Sequence, residues 1–388
     1  MTKRTTGARL SRGAFSLVEM LVVIATISLI MALLLPALGG ARDAALRTST
    51  LALQNDLTAA AQRFSNDNNG RLPGYYSQAQ MGHSDNLDIG MSAMENALLE
   101  LGGTGIILGT QDQIGGSVPG PDEDSGIITV GPTDDGALRV VVNVNLIGSQ
   151  GAYFKPDSKF LVESEHRSGG QAGTPPASTL QEMMPDLVDA WGTPMLLWSQ
   201  DTGARGSIVV SSDADDVYTQ FVRETSDAAG AVSRGDERGP AWFYLASNEA
   251  FLGATQVGPG GVNMSIESAI GAATAPLERI RSVASILASP SSYQLDPSIE
   301  SLEDATIERI FPSRPRARFL VHSAGSDGRY LGVDGDGWKS FGVTGGGFHV
   351  AFGSNYKTAD GARHLDDNGA LTNIDFFDEF DDRITGAK

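Results

Sequence analysis

The chain has 388 residues, a formal net charge of −19 and no cysteine. That length allows a sizeable buried core and about two or three domains. The acid surplus sets the surface against nucleic acid and towards divalent cations. The missing thiols exclude disulfides, zinc–thiolate centres and thiol catalysis, and leave the redox compartment open.

Lys3, Arg4, Arg9 and Arg12 precede an apolar run. Residues 20–35 carry no charge and consist of Leu, Val, Ile, Ala and Met, with Thr26 and Ser28. With Phe15, Leu17 and Val18 added, the stretch is long enough to cross most of a bilayer as a helix. The basic leader is expected to stay on the cytoplasmic side. Glu19 interrupts the run near its start. An acid costs about 2.5–3.5 kcal/mol at mid-membrane and less near the edge, so Glu19 needs a partner and marks a functional position.

The segment Ala14-Phe15-Ser16-Leu17-Val18-Glu19-Met20 resembles the cleavage and methylation segment of type IV pilins and type II secretion pseudopilins. The resemblance implies that a prepilin peptidase cuts between Ala14 and Phe15 and that Phe15 is then N-methylated. The family's acid falls on Glu19 and its helix-loosening proline on Pro36. The family usually has Gly before the cut; here Ala14 stands there, with Gly13 one place earlier. Loss of residues 1–14, with four basic residues and no acid, takes the charge from −19 to −23. A free amine on Phe15, from the same or a neighbouring subunit, is the natural counter-charge for Glu19. Two plainer readings compete. One is a secretory signal peptide cut near Ala37-Leu38-Gly39, which has the small-residue spacing of such sites. The other is an uncleaved membrane anchor.

After Pro36, Gly39-Gly40 is a weak point in any helix. Helical chemistry resumes over 44–64, where Leu46, Leu53, Leu57, Ala60, Ala61 and Phe64 share one stripe. Arg47, Thr48, Gln54, Asp56 and Arg63 lie largely off it. The spacing predicts one helix from about Ser16 to about Asn66, roughly 75 Å long. Asn66-Asp67-Asn68-Asn69-Gly70-Arg71-Leu72-Pro73 stops it, because Asn and Gly tolerate the left-handed conformation and Pro follows the break. This stop also resembles the corresponding pseudopilin segment.

A second helix is expected over Met91 to Leu101, ended by Gly102-Gly103. Residues 109–136, rich in Gly, Pro and Asp, read as a loop or insertion. Arg139 to Leu146 reads as a strand and Phe160-Leu161-Val162 as another; residues 169–176 read as a loop. Asp189-Ala190-Trp191-Gly192-Thr193-Pro194 is a turn in which Gly and Pro set the backbone and Trp191 supplies packing surface. It resembles the Asp-x-Trp-Gly-x-Pro segment of major-pseudopilin-like proteins, a fold signature that leads into a strand over 195–198.

Residues 200–320 read as an expansion, with strands at 208–210 and 241–245 and helices at 266–273 and 277–287. No catalytic constellation is visible: His166 and His322 show no triad spacing, and no Gly-x-Ser-x-Gly elbow occurs. The acids at 213, 215 and 216 read as a solvated turn.

Arg318 to Ser323 is a strand candidate that runs into the turn Ala324-Gly325-Ser326-Asp327-Gly328. Asp334-Gly335-Asp336-Gly337 and the terminal Asp381-Asp382-Arg383-Ile384 follow. Together they resemble the C-terminal calcium loop of major pseudopilins, which implies Asp327, Asp334, Asp336, Asp381 and Asp382 as carboxylate donors. Calcium takes six to eight oxygens at about 2.3–2.6 Å. The departure is an insertion between the two halves, so Asp334/Asp336 and Asp381/Asp382 compete for one role. Without calcium, these are solvent-exposed Asp-Gly turns. His349 and His364 give only a faint resemblance to large pilin-like families. The tail over 375–382 reads as an acidic, solvated face with an apolar underside.

The expected fold is α+β and pilin-like: a long N-terminal α-helix packed on an antiparallel β-sheet domain with large insertions. The expected parts are a leader (1–14), a transmembrane and filament-core helix (15–70) and a periplasmic or extracellular globular domain (71–388). The resemblance implies a non-enzymatic subunit, a pseudopilin or minor pilin, in a type II secretion-like or type IV pilus-like filament. Its partners would be prepilin peptidase, other pilin or pseudopilin subunits and the inner membrane, crossed once. Glu19 would set filament register by pairing with a neighbour's Phe15 amine. The alternatives are a membrane-anchored extracytoplasmic ligand-binding module that does not assemble, with its site in 200–320, and an extracytoplasmic hydrolase.

Overall fold

A computed structural model describes residues 17–82, 86, 89–133, 135–163, 179–201, 218–221, 224–226, 232–234, 241–244, 248, 316–328, 330 and 382–387. The chain divides into two compact units, Met1–Thr48 and Ser49–Lys388. Helix α1, Leu17–Asp67, belongs to both and keeps Pro36 in its interior.

Over residues 20–38 of the first unit α1 carries no charge and is apolar on every side. Leu17, Val18, Met20 to Ile24, Ile27, Leu29 to Met31, Leu34, Leu35 and Leu38 are all exposed. A helix that is hydrophobic all round needs a low-dielectric surrounding. This one is apolar and long enough to cross a membrane, and none of its apolar window is buried. Thr26 fits such a surrounding because its hydroxyl donates to the carbonyls of Val22 and Val23 at 3.0 and 2.9 Å. This local bond leaves no hydroxyl to be solvated.

The second unit is built on the rest of α1. Leu53, Leu57, Ala60, Ala61 and Phe64 are buried, as their helical spacing predicts. Thr50, Gln54 and Thr58 are buried beside them, so Gln54 is not on the solvent side. The helix ends where Asn69 and Gly70 take φ of 56° and 82°. The Gly70 N–H donates to the Ser65 carbonyl at 2.8 Å, closing the last turn in the Schellman manner.

Arg71 then forks onto Glu100 with contacts of 2.6 and 2.7 Å. A short helix α2, Gln78–Met81, precedes α3, Ala93–Leu101. Ser92 starts α3 with a capping box: its hydroxyl accepts from the Glu95 N–H, and the Glu95 carboxylate accepts from the Ser92 N–H. Met94, Ala97, Leu98 and Leu101 of α3 join Leu57, Ala61 and Phe64 of α1 in one hydrophobic core.

Strands β1 (Ile107–Thr110), β2 (Ile127–Val130) and β3 (Val140–Asn143) form an antiparallel sheet in the order β1-β3-β2. The 109–136 stretch is therefore not all loop. It contains β2, whose Ile-Ile-Thr-Val is flanked by turn-forming Gly126 at φ 68°. The predicted strand over 139–146 is shorter, because Val144–Leu146 turns into a 3₁₀ helix capped by the Asn143 side chain. Strands β4 (Leu161–Glu163) and β5 (Pro185–Leu187) pair with each other.

The chain then turns into β6 (Leu196–Ser199). Strand β7 (Tyr218–Phe221) pairs with β10 (Ala241–Tyr244), and β8 (Glu224–Ser226) pairs with β9 (Val232–Arg234). Strands β11 (Phe319–Ser323) and β12 (Arg383–Ala387) complete an antiparallel sheet in the order β12-β11-β6. Phe319 and Val321 of β11 reach the same core as Leu57 of α1. The architecture is α+β, a long N-terminal helix in contact with antiparallel sheets. The segments expected at 208–210, 266–273 and 277–287, with His166, His349 and His364, lie outside the described residues.

Candidate functional site

Two features of the molecule can carry function. The first is the apolar part of α1. Glu19 lies in the first turn of the helix, where the unpaired N–H groups and the dipole favour negative charge. Pro36 lies inside the helix, where it withholds one N–H from the intrahelical ladder. Ala14 and Phe15, the residues of the expected cut, lie outside the described residues.

The second feature is a buried polar centre around the ends of β5, β6, β11 and β12. It starts on α1. The Gln54 amide, fully buried, donates to the Arg383 carbonyl at 2.9 Å and the Val321 carbonyl at 3.4 Å. Its carbonyl accepts from the Thr385 hydroxyl at 3.3 Å. One side chain thus ties α1 to both β11 and β12. Four residues earlier, Thr50 Oγ1 accepts from the Ala190 N–H at 3.1 Å.

Ala190 belongs to the Asp189–Pro194 turn. Gly192 holds φ of 92°, and the Gly192 N–H closes the turn on the Asp189 carbonyl at 3.0 Å. Asp189 Oδ1 accepts from the N–H groups of Trp191 and Thr193 at 2.9 and 3.0 Å. Its Oδ2 accepts from Ser323 Oγ at 2.7 Å. Burial pushes the Asp189 carboxyl up to about 6, against the pull of these donors. Tyr330 donates to the Pro194 carbonyl. Burial, then the charges of Asp189, Asp186 and Asp382, holds its phenol well above the usual range.

On the neighbouring residue of β11, His322 Nε2 lies 2.5 Å from Asp382 Oδ2, with both side chains fully buried. A carboxylate alone would raise an imidazole. Burial, then the charge of Arg316, outweighs it and brings His322 down to about 3. The ring is therefore neutral near pH 7, and the contact is a hydrogen bond. The Tyr330 ring packs edge-on against it at 5.4 Å between centroids.

Of the expected calcium donors, only the backbone of Asp327 and the side chain of Asp382 fall among the described residues. Asp327 ends the 3₁₀ turn Gly325–Asp327, and Asp382 is spent on His322. Asp334, Asp336 and Asp381 lie outside the described residues. Among those described, no three acidic or histidine side chains converge on a point that could hold a metal. Among the described residues Ser323 and His322 are neighbours on β11 but do not share a relay: Ser323 pairs with Asp189, while His322 pairs with Asp382.

The polar centre was not legible in the sequence. The turn motif marked Asp189, and the strand pattern marked 318–323, but Ser323 lies 134 positions from Asp189. Gln54 carried a weak signal, since it sits four residues from both Thr50 and Thr58 on the face that is buried.

No protein-family model matches the chain, and neither a curated protein nor a solved structure is significantly similar to it.

Proposed function

We propose that this chain is a pilin-like structural subunit: a pseudopilin or minor pilin, cut by prepilin peptidase before Phe15, held in the inner membrane by α1 and assembled through it into a filament. The observation that supports this reading most is the exposed, all-apolar helix with a single acid in its first turn. Such a helix must be covered by lipid or by other apolar helices. After the cut, the new amine would stand four residues before Glu19 in sequence. An unpaired carboxylate in a stack of apolar helices is costly, so a neighbour's Phe15 amine would fix the axial register. The globular unit would then lie on the periplasmic or outer side.

Mass spectrometry of the N-terminal peptide tests the proposal, on protein made in a host with prepilin peptidase. The expected product begins with N-methylated Phe15. A terminus near Gly39 means a secreted domain and ends the filament reading. An intact leader favours the anchored ligand-binding module. With correct processing in hand, Glu19→Ala should still insert in the membrane but fail to assemble with other subunits.

Calcium belongs to this proposal only through the C-terminal Asp-Gly pattern. Thermal unfolding of the full chain in calcium and in a chelator checks it. Calcium should raise the midpoint, and magnesium should not; equal midpoints remove calcium from the account.

A further inference from the structure

Between α1 and residues 153–160 of the second unit lies a groove of about 480 Å³. Its α1 wall runs from Ser49 to Arg63, about 21 Å along the helix axis. The buried Leu53, Phe154 and Phe160 line it from below, and the exposed Asp56 and Asp157 line it at the surface. Arg63 and Lys155 balance the two acids, so the groove as a whole is neutral. Most of these charges already have a neighbour. Arg63 donates to the Tyr153 carbonyl at 3.0 Å, and Asp157 has Lys159 at 3.7 Å. The Asp56 carboxylate has no hydrogen bond or ion pair among the described residues.

The other side of α1 carries the opposite charge. Arg47 is exposed and likewise has no ion pair among the described residues. Leu51, one turn further along the same side, is a large apolar side chain that is 39% exposed. Nine residues are two and a half helical turns, so Arg47 and Asp56 project from opposite sides of α1.

We propose that the groove is a socket for a second copy of this chain, which inserts Leu51 and sets Arg47 on Asp56. Knob and socket are different patches on opposite sides of one helix, so the contact is head-to-tail. Each added copy presents a fresh socket. Copies anchored in one membrane keep their helices parallel. Arg47 then reaches Asp56 when the neighbour stands nine residues further out, about 13.5 Å, and that axial shift prevents closure into a ring. One exposed ion pair is weak alone; the seating of Leu51 and repetition along the stack add to it. The inference rests on the filament reading and gives it a contact outside the apolar span. Its shift differs from the four residues between Phe15 and Glu19, so the two contacts engage different neighbours.

The chain has no cysteine, so disulfide trapping reads the contact directly. Arg47→Cys and Asp56→Cys are combined in the full chain, in membranes of a host with prepilin peptidase, and oxidised with copper–phenanthroline. Within one copy the two positions are about 13.5 Å apart along α1 and cannot bridge. The expected result is a ladder of dimers, trimers and larger species, while each single variant stays monomeric. In the cysteine-free chain, Arg47→Glu or Asp56→Arg alone should lower the fraction that sediments after detergent extraction, and the two together should restore it. A chain that is cut before Phe15 and sediments, but gives no ladder, overturns this contact and leaves the filament reading standing. An uncut chain that does not sediment ends both. Dimers from a single cysteine variant show a like-to-like contact and overturn the proposal, as does a double reversal no better than the single ones.

Discussion

Asp189 and His322 show how burial sets opposite pH demands on neighbouring parts of one fold. Asp189 has a folded value of about 6 against an ordinary 3.8, so the fold prefers its neutral form. The stability it contributes is full below pH 4 and is lost as pH rises through 6. His322 is depressed to about 3 from 6.5, so the fold again prefers the neutral form. Its contribution is present above pH 6.5 and is lost as pH falls towards 3. In Asp189→Asn the amide still accepts from Trp191 and Thr193 and carries no charge. Urea unfolding at pH 5 and pH 7 should show the variant gaining stability at pH 7 relative to the natural chain, on the order of 2–3 kcal/mol. An unchanged pH dependence would mean that the acid is solvated. Gln54→Ala acts on a different term. It strands the Arg383 carbonyl in a buried place, and a loss of about 1–3 kcal/mol is expected in the same assay.

At the scale of elements, local rules account for most of what forms. α3 begins where Ser92 and Glu95 exchange hydrogen bonds with each other's backbone. Ser92→Ala should cost about 1 kcal/mol in thermal or urea unfolding, a typical cap loss. The long helix is different, because its second half is stabilised by packing. Leu57 is fully buried between α1, α3 and the sheets. Leu57→Ala should cost about 2–5 kcal/mol, with the upper end expected if the site cannot collapse. The sheet of β6, β11 and β12 depends on β12, a five-residue strand at the end of the described residues. That strand is held by its β11 ladder, by Gln54 and by the His322–Asp382 contact.

For the whole molecule, the two units answer to different solvents. The first presents apolar side chains on all sides, as a single-pass anchor or a signal sequence does. The second buries an ordinary core of helices and sheets. A charge placed in the apolar helix separates these roles. Ile27→Arg in the full chain should weaken membrane integration by about 2.5–3.5 kcal/mol. Alkaline extraction of membranes reads this as transfer of the chain to the soluble fraction. Unchanged retention would place Ile27 away from lipid.

The sequence by itself determined the features whose physics is local. The apolar run, Glu19 within it, the Asn-Gly helix stop, the 91–101 helix and the Asp189–Pro194 turn all follow from side-chain polarity, spacing and backbone preference over a few residues. Strand β2 was obscured because Gly, Pro and Asp on both sides mask four β-branched residues. Only the tertiary structure decided that Gln54 is an inward clamp, that Asp189 meets Ser323 and that His322 meets Asp382. Those partners are brought together by chain closure over tens to hundreds of residues. A side chain's polarity shows that it needs a partner once buried, but which partner it meets is set by how the helices and strands pack.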